Sequence, residues 1–155
     1  MKFYNIKRIK NLFDSDFYLK LNPDIANKAQ DSWSHWISYG RFESRTVNPL
    51  IDFCLLDQVL PRIAPHHRLS EYLSNKEHWN KSVSTFLPVR LEKSLLSSES
   101  FLSPIEIVIR EVDKYKSEII SFIQDKYKGI GANSFSKKGM TIDYVNKKLT
   151  TGEYE

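Results

Sequence analysis

The chain has a single cysteine, Cys54, in 155 residues, which excludes an internal disulfide and suits a reducing compartment. Cys54 stands among Ile51, Phe53, Leu55 and Leu56, where a small core residue is expected. No apolar run approaches the roughly 18 residues of a membrane span. The N-terminus also lacks the uninterrupted apolar stretch of a secretory signal, so the expected address is the cytoplasm. The net charge of +4 is carried without any dense basic block, gathering instead in "MKFYNIKRIK" and "SKKGMTIDYVNKK". With no helix-turn-helix, zinc-finger or RNP pattern beside it, that surplus predicts no nucleic-acid partner. It leaves open a peripheral contact of residues 1–11 with the inner face of the cell membrane.

Catalytic signatures are missing too. There is no G-x-S-x-G, no H-E-x-x-H and no cysteine pair, and the apolar run around Cys54 would raise a thiol pKa rather than lower it. "GIGAN" has neither the preceding strand nor the following helix of a phosphate loop. No cofactor or metal is expected.

What is present is a foldable composition of 41% hydrophobic, 27% charged and 13% aromatic residues, enough for one core. The chain also repeats itself. "SWSHWIS", "RLSEYLS" and "PIEIVIR" each place apolar residues at i, i+3 and i+4, and their central residues Trp36, Tyr72 and Val108 are spaced 36 apart. "LFDSDFYLKLNPDIA" aligns without a gap on "LIDFCLLDQVLPRIA" at a shift of 38. Leu12 falls on Leu50, Asp14 on Asp52, Pro23 on Pro61, Ile25 on Ile63 and Ala26 on Ala64. Three copies follow, at about 12–49, 50–87 and 88–128, the third degraded.

Local signals predict an all-α protein of short-helix repeats. Asp14 caps a helix over about 15–21, Asn22-Pro23 ends it and starts another, and Gly40 closes a helix from about 32 in the left-handed conformation. Ser103, Pro104 and Glu106 form a capping box that opens one long amphipathic helix to about Lys128. That helix carries the stripe Ile105, Val108, Ile109, Val112, Tyr115, Ile119, Phe122, Ile123 and Tyr127, long enough to serve alternatively as an oligomerisation scaffold. Residues 129–155 hold four of the five glycines and read as a linker or flexible tail, with one short helix near 142–149.

Two constellations invite a chemical reading. Asp14 and Asp16 form a D-x-D pair, which in a transferase would hold a divalent cation at a strand end. No strand precedes it here, so a helix cap and a first-turn acid are the expected roles. His66, His67, Glu71 and His78 cluster in sequence without the spacing of a zinc site. They read as surface or helix-entry residues, and His35 as a hydrogen-bonded interface histidine.

The first copy resembles the short helical repeat attached to bacterial cell-surface polysaccharide glycosyltransferases. The matching residues are Phe13-Asp14, Phe17-Tyr18-Leu19, Asn22-Pro23-Asp24-Ile25-Ala26, His35-Trp36-Ile37, Tyr39-Gly40, Glu43, Arg45 and Asn48-Pro49. They cover about residues 12–52, a quarter of the chain. The second copy departs, with Leu55-Leu56 in place of the aromatic pair and no glycine after Leu73. The resemblance implies a non-catalytic accessory module of envelope-polysaccharide biosynthesis that positions a glycosyltransferase, a glycan or a membrane-side partner, sugar transfer being done by a separate α/β domain. Its contact surface would draw on Trp33, His35, Trp36, Tyr39, Arg41, Glu43 and Arg45. Ion pairing of Arg41, Glu43 and Arg45 and core packing of Trp33, Trp36 and Tyr39 are the competing structural roles. The enzymatic alternative is a reduced or truncated glycosyltransferase using Asp14 and Asp16.

Overall fold

A computed structural model describes residues 3–28, 30–96, 101–128 and 137–151, and among these every regular element is helical. In chain order they are α1 (Phe3–Leu12), α2 (Ser15–Leu21), α3 (Pro23–Ala26), and α4 (Ser32–His35), which runs on as a π-helical turn over Trp36–Gly40. After these come α5 (Phe53–Val59), α6 (Pro65–Ser74), a 3-10 turn (Lys76–His78), α7 (Val89–Ser94), α8 (Pro104–Arg110), α9 (Val112–Lys126) and α10 (Lys137–Thr151). None is long and apolar enough to cross a membrane.

The repeat is written into the backbone. Helices α2 and α5 both span seven residues and lie 38 apart, each opened by an aspartate in extended conformation: Asp14 at φ −100°, ψ 100° and Asp52 at φ −94°, ψ 109°. Each carboxylate accepts from backbone N–H groups of the first turn, Phe17 for Asp14 and Cys54 and Leu55 for Asp52. Such caps contribute about 0.5–2 kcal/mol each. The backbone N–H of each cap also reaches the exit of its own unit, Asp14 donating to Val47 O at 2.8 Å and Asp52 to Val83 O at 2.6 Å. The first two units are therefore each closed on themselves. In the third, α7 begins 36 residues after α5, but Pro88 replaces the aspartate and no side chain caps it. The three spaced residues Trp36, Tyr72 and Val108 are all buried in one core.

The single helix expected from Ser103 to Lys128 is two. Glu111 leaves the helical region at φ −116°, ψ 41°, and α9 starts afresh at Val112. No glycine or proline marks the break, and the three-four spacing continues across it. The β-branched run at Ile107, Val108, Ile109 and Val112 weakens the helix just there. The capping box is formed as expected, and Glu106 also accepts from Arg8 of α1 at 2.5 Å.

The short helix expected near 142–149 is present, and it is longer than expected. Lys137–Thr151 is a helix that packs on α9, with Ile142, Tyr144, Val145 and Leu149 buried. Residues 129–136, including Gly129, lie outside the described residues. The N-terminal segment is likewise integrated. Helix α1 buries Asn5, Ile9 and Leu12, leaving Lys7 and Lys10 outward. Of the stripe offered for oligomerisation, Ile119 and Ile123 are buried within the chain, at 0% and 1% exposure. Cys54, expected in the core, is exposed, because the register fixed by the Asp52 cap turns Leu56 inward instead.

Candidate functional site

The residues of the first-copy motif converge on the turn after α4. Tyr18 on α2 points into the unit and shares a 2.8 Å hydrogen bond with His35 Nδ1. Burial pushes the Tyr18 hydroxyl up to about 12, against a smaller opposing pull from Arg45, so it stays protonated at neutral pH. The end of α2 is tied down by Asn22, whose side chain donates to Tyr18 O at 2.7 Å. Arg45 then locks the two halves of the unit together, donating to Asn22 Oδ1 at 3.0 Å, to the Asp24 carboxylate at 3.2 and 3.3 Å and to Glu43 at 3.3 Å. This hydrogen bonding from Arg45 holds the Asp24 carboxyl below its ordinary range. The Arg45 carbonyl accepts from Trp36 Nε1 at 2.9 Å.

Gly40 has a different role from the one its position after a helix suggests. It does not adopt the left-handed conformation, and the residue that does is Ser44, at φ 55°. A Cβ on Gly40 would meet the Tyr18 hydroxyl and lie 2.9 Å from Trp36 Cδ1. Glycine is required there by close approach, and the π-helical turn brings its backbone onto those side chains.

The expected surface thus divides. His35 and Trp36 are buried, Trp33 is half-buried against Phe13 and Trp36, and Glu43 and Arg45 are engaged in the ion-pair network. Arg41 donates through Nε to Ile37 O and stacks its guanidinium 4.6 Å from the Phe42 ring. Tyr39 and Phe42 stand out at 58% and 52% exposure. Phe42 was invisible to the pattern reading, since nothing in the repeat marks an apolar residue meant for the surface. Its ring stacks on His66 at 4.7 Å, and His66 lies 3.9 Å from His67, so a column of rings joins the first unit to the second.

The second unit clamps itself by analogous means. Arg68 donates to Asp57 at 2.7 Å and to Leu60 O at 2.9 Å, gripping the end of α5 at the position that corresponds to Asn22 in α2. An arginine does this work in both units although it comes from non-equivalent positions, which is why the alignment misses Arg68.

The D-x-D pair does not form a cation site. Asp14 is buried, accepting from Phe17 N–H, from Tyr144 Oη at 2.9 and 3.0 Å and from Lys148 Nζ at 2.8 Å. Asp16 is exposed in the first turn of α2. Sequence reading missed Tyr144 and Lys148 as partners because they lie about 130 residues away. His78 sits 3.5 Å from Glu71, and burial together with His66 depresses the His67 pKa. Among the described residues no three His, Cys, Asp or Glu side chains are gathered to hold a metal. No family model, curated protein or solved structure matches the chain.

Proposed function

We propose that the chain is a non-catalytic helical interaction module, acting in the cytoplasm or at the inner membrane face within bacterial envelope-polysaccharide biosynthesis. One observation supports this above others: the polar side chains of the motif turn bond one another rather than line a cleft. Tyr18 and His35, the pair chemically best suited to move a proton, are buried at 0% and 6% exposure. What the turn offers outward is the pair Tyr39 and Phe42, aromatic residues of the kind that anchor protein contacts. The polysaccharide setting comes from the sequence resemblance alone, and the partner it suggests is a glycosyltransferase.

The test is binding of the purified chain to the glycosyltransferase of the same polysaccharide locus, measured by calorimetry. Tyr39→Ala combined with Phe42→Ala should weaken association by about 2 kcal/mol or more, roughly thirtyfold, with the helical circular dichroism retained. Turnover of an activated sugar by the chain itself, lost in Asp16→Ala, would overturn the proposal in favour of a reduced transferase.

A further inference from the structure

The two exposed aromatics of the motif turn both rest on histidine. Tyr39 lies 5.6 Å from the His35 ring, and Phe42 stacks at 4.7 Å on His66, whose ring is 3.9 Å from His67. Three of the chain's four histidines therefore back the outward face of one turn, and histidine is the side chain whose charge changes between about pH 5 and 8. The far end of this column is built for a neutral ring. His67 stands in the first turn of the ten-residue α6, where the positive end of the helix dipole opposes a cation. Burial, then the charges of His66, the amino terminus and Arg41, hold its pKa below the ordinary 6.5. The other charged groups offer no relief. Arg62 borders the same groove as His67 and is a further cation, and α1 contributes only the uncharged Asn5. Glu71, one helical turn on, faces His78 at 3.5 Å, and Glu43 on the turn is paired with Arg45 at 3.3 Å.

We infer that the His66–His67 pair is a pH-sensitive latch for the Phe42 turn: with His67 neutral the column holds Phe42 in its outward pose, and in acid the charged rings part and release it. The inference rests on the reading of Tyr39 and Phe42 as the docking face, whose regulation it names. A single charge on His66 is compatible with the Phe42 face, so the second charge, on His67, is the one that opens the column. The sign follows from the direction of the His67 shift. A histidine whose pKa is lower in the closed column than in the open one takes up its proton as the column opens. Falling pH therefore favours opening, beginning near the free value of 6.5. Only the closed column presents Phe42, so the apparent affinity for a partner falls with its population.

The experiment follows the histidine ring protons and the Phe42 ring protons of the full chain by NMR between about pH 5 and 8. The His67 midpoint should fall below 6.5, and the Phe42 shifts should move with that same midpoint as the stack is lost. Phe42 shifts that stay constant while His67 titrates would overturn the inference without reference to any partner. In calorimetry against the glycosyltransferase of the same locus, association should weaken about fivefold from about pH 7.5 to 5.5. His67→Gln keeps a polar, uncharged group at a half-buried position, and it should flatten both responses with an unchanged melt at neutral pH. A response retained in full in His67→Gln would also overturn the inference and pass the pH dependence to His35 behind Tyr39. Association at neither pH would retire the docking reading, while the Phe42 titration in the same samples still decides for or against the latch.

Discussion

Replacing Gly40 with alanine adds one methyl group at a point where the backbone of the π-helical turn already rests on two buried side chains. The new Cβ meets the Tyr18 hydroxyl and comes within 2.9 Å of Trp36 Cδ1. Tyr18 and Trp36 are 0% and 2% exposed, so neither can retreat into solvent. Overpacking of this kind costs about 1–3 kcal/mol. Displacing the Tyr18 hydroxyl also weakens its bond to His35, worth about 1 kcal/mol. The sum is roughly 2–4 kcal/mol, and at about 2–4 °C per kcal/mol for a chain of this size Gly40→Ala should lower the Tm by about 4–16 °C. The cause can be isolated with Tyr18→Phe, which deletes the obstructing oxygen. In that background Gly40→Ala should cost at least about 1 kcal/mol less, measured by urea denaturation of the four proteins as a double-mutant cycle. Strict additivity, or a Gly40→Ala protein as stable as the parent, would refute the steric argument and return Gly40 to an ordinary helix-end role.

Two further predictions probe other parts of the fold. Asp14→Ala removes the α2 cap and the acceptor that Tyr144 and Lys148 share, so it should cost roughly 2–4 kcal/mol and speed hydrogen exchange across 141–149. Unchanged protection in that segment would mean that α10 docks independently of Asp14. Glu92 is a case of opposite sign: burial raises its pKa, against a smaller opposing hydrogen bond from Ser82. A carboxyl whose pKa is higher folded than unfolded penalises the native state above its folded pKa, and the penalty disappears below the unfolded value. Glu92→Gln should therefore raise the urea midpoint at pH 7, with the gain vanishing below about pH 4. A gain that persisted in acid would show that ionisation is not its origin.

Local chemistry made the helix starts legible. Asp14 and the Ser103–Glu106 box bond to backbone within three residues of themselves, and Pro23 and Pro104 stand where a missing N–H costs nothing. The spacing of Trp36, Tyr72 and Val108 was equally readable, because a buried face repeats with the unit that carries it. The break at Glu111 and the exposure of Cys54 depend on which way a helix must turn to reach the common core, and no short-range rule encodes that. Gly40 was assigned the right kind of position for the wrong reason. Sequence locates a glycine near a helix end but cannot distinguish a left-handed residue from one pressed by Tyr18, 22 residues away. Helix α10 was legible only in part, as a short helix near 142–149: its apolar stripe is short, and its anchor on Asp14 spans most of the chain.

That anchor bears on function as well as on stability. Stacked repeats leave apolar surface at their two ends, which other solenoids cover with polar capping units. Here the covers come from outside the repeat. Helix α1 lies on the second and third units through Asn5 to Ser70 and Arg8 to Glu106. Helix α10 ties to the first unit through Asp14, while Val145 and Leu149 border the same small cavity as Ile109 and Val112 of the third. Both flanking helices are used in this way, and Tyr115, Ile119 and Ile123 of the α9 stripe face the shared core. The turn at Tyr39 and Phe42, at 58% and 52% exposure, stays uncovered by either flanking helix.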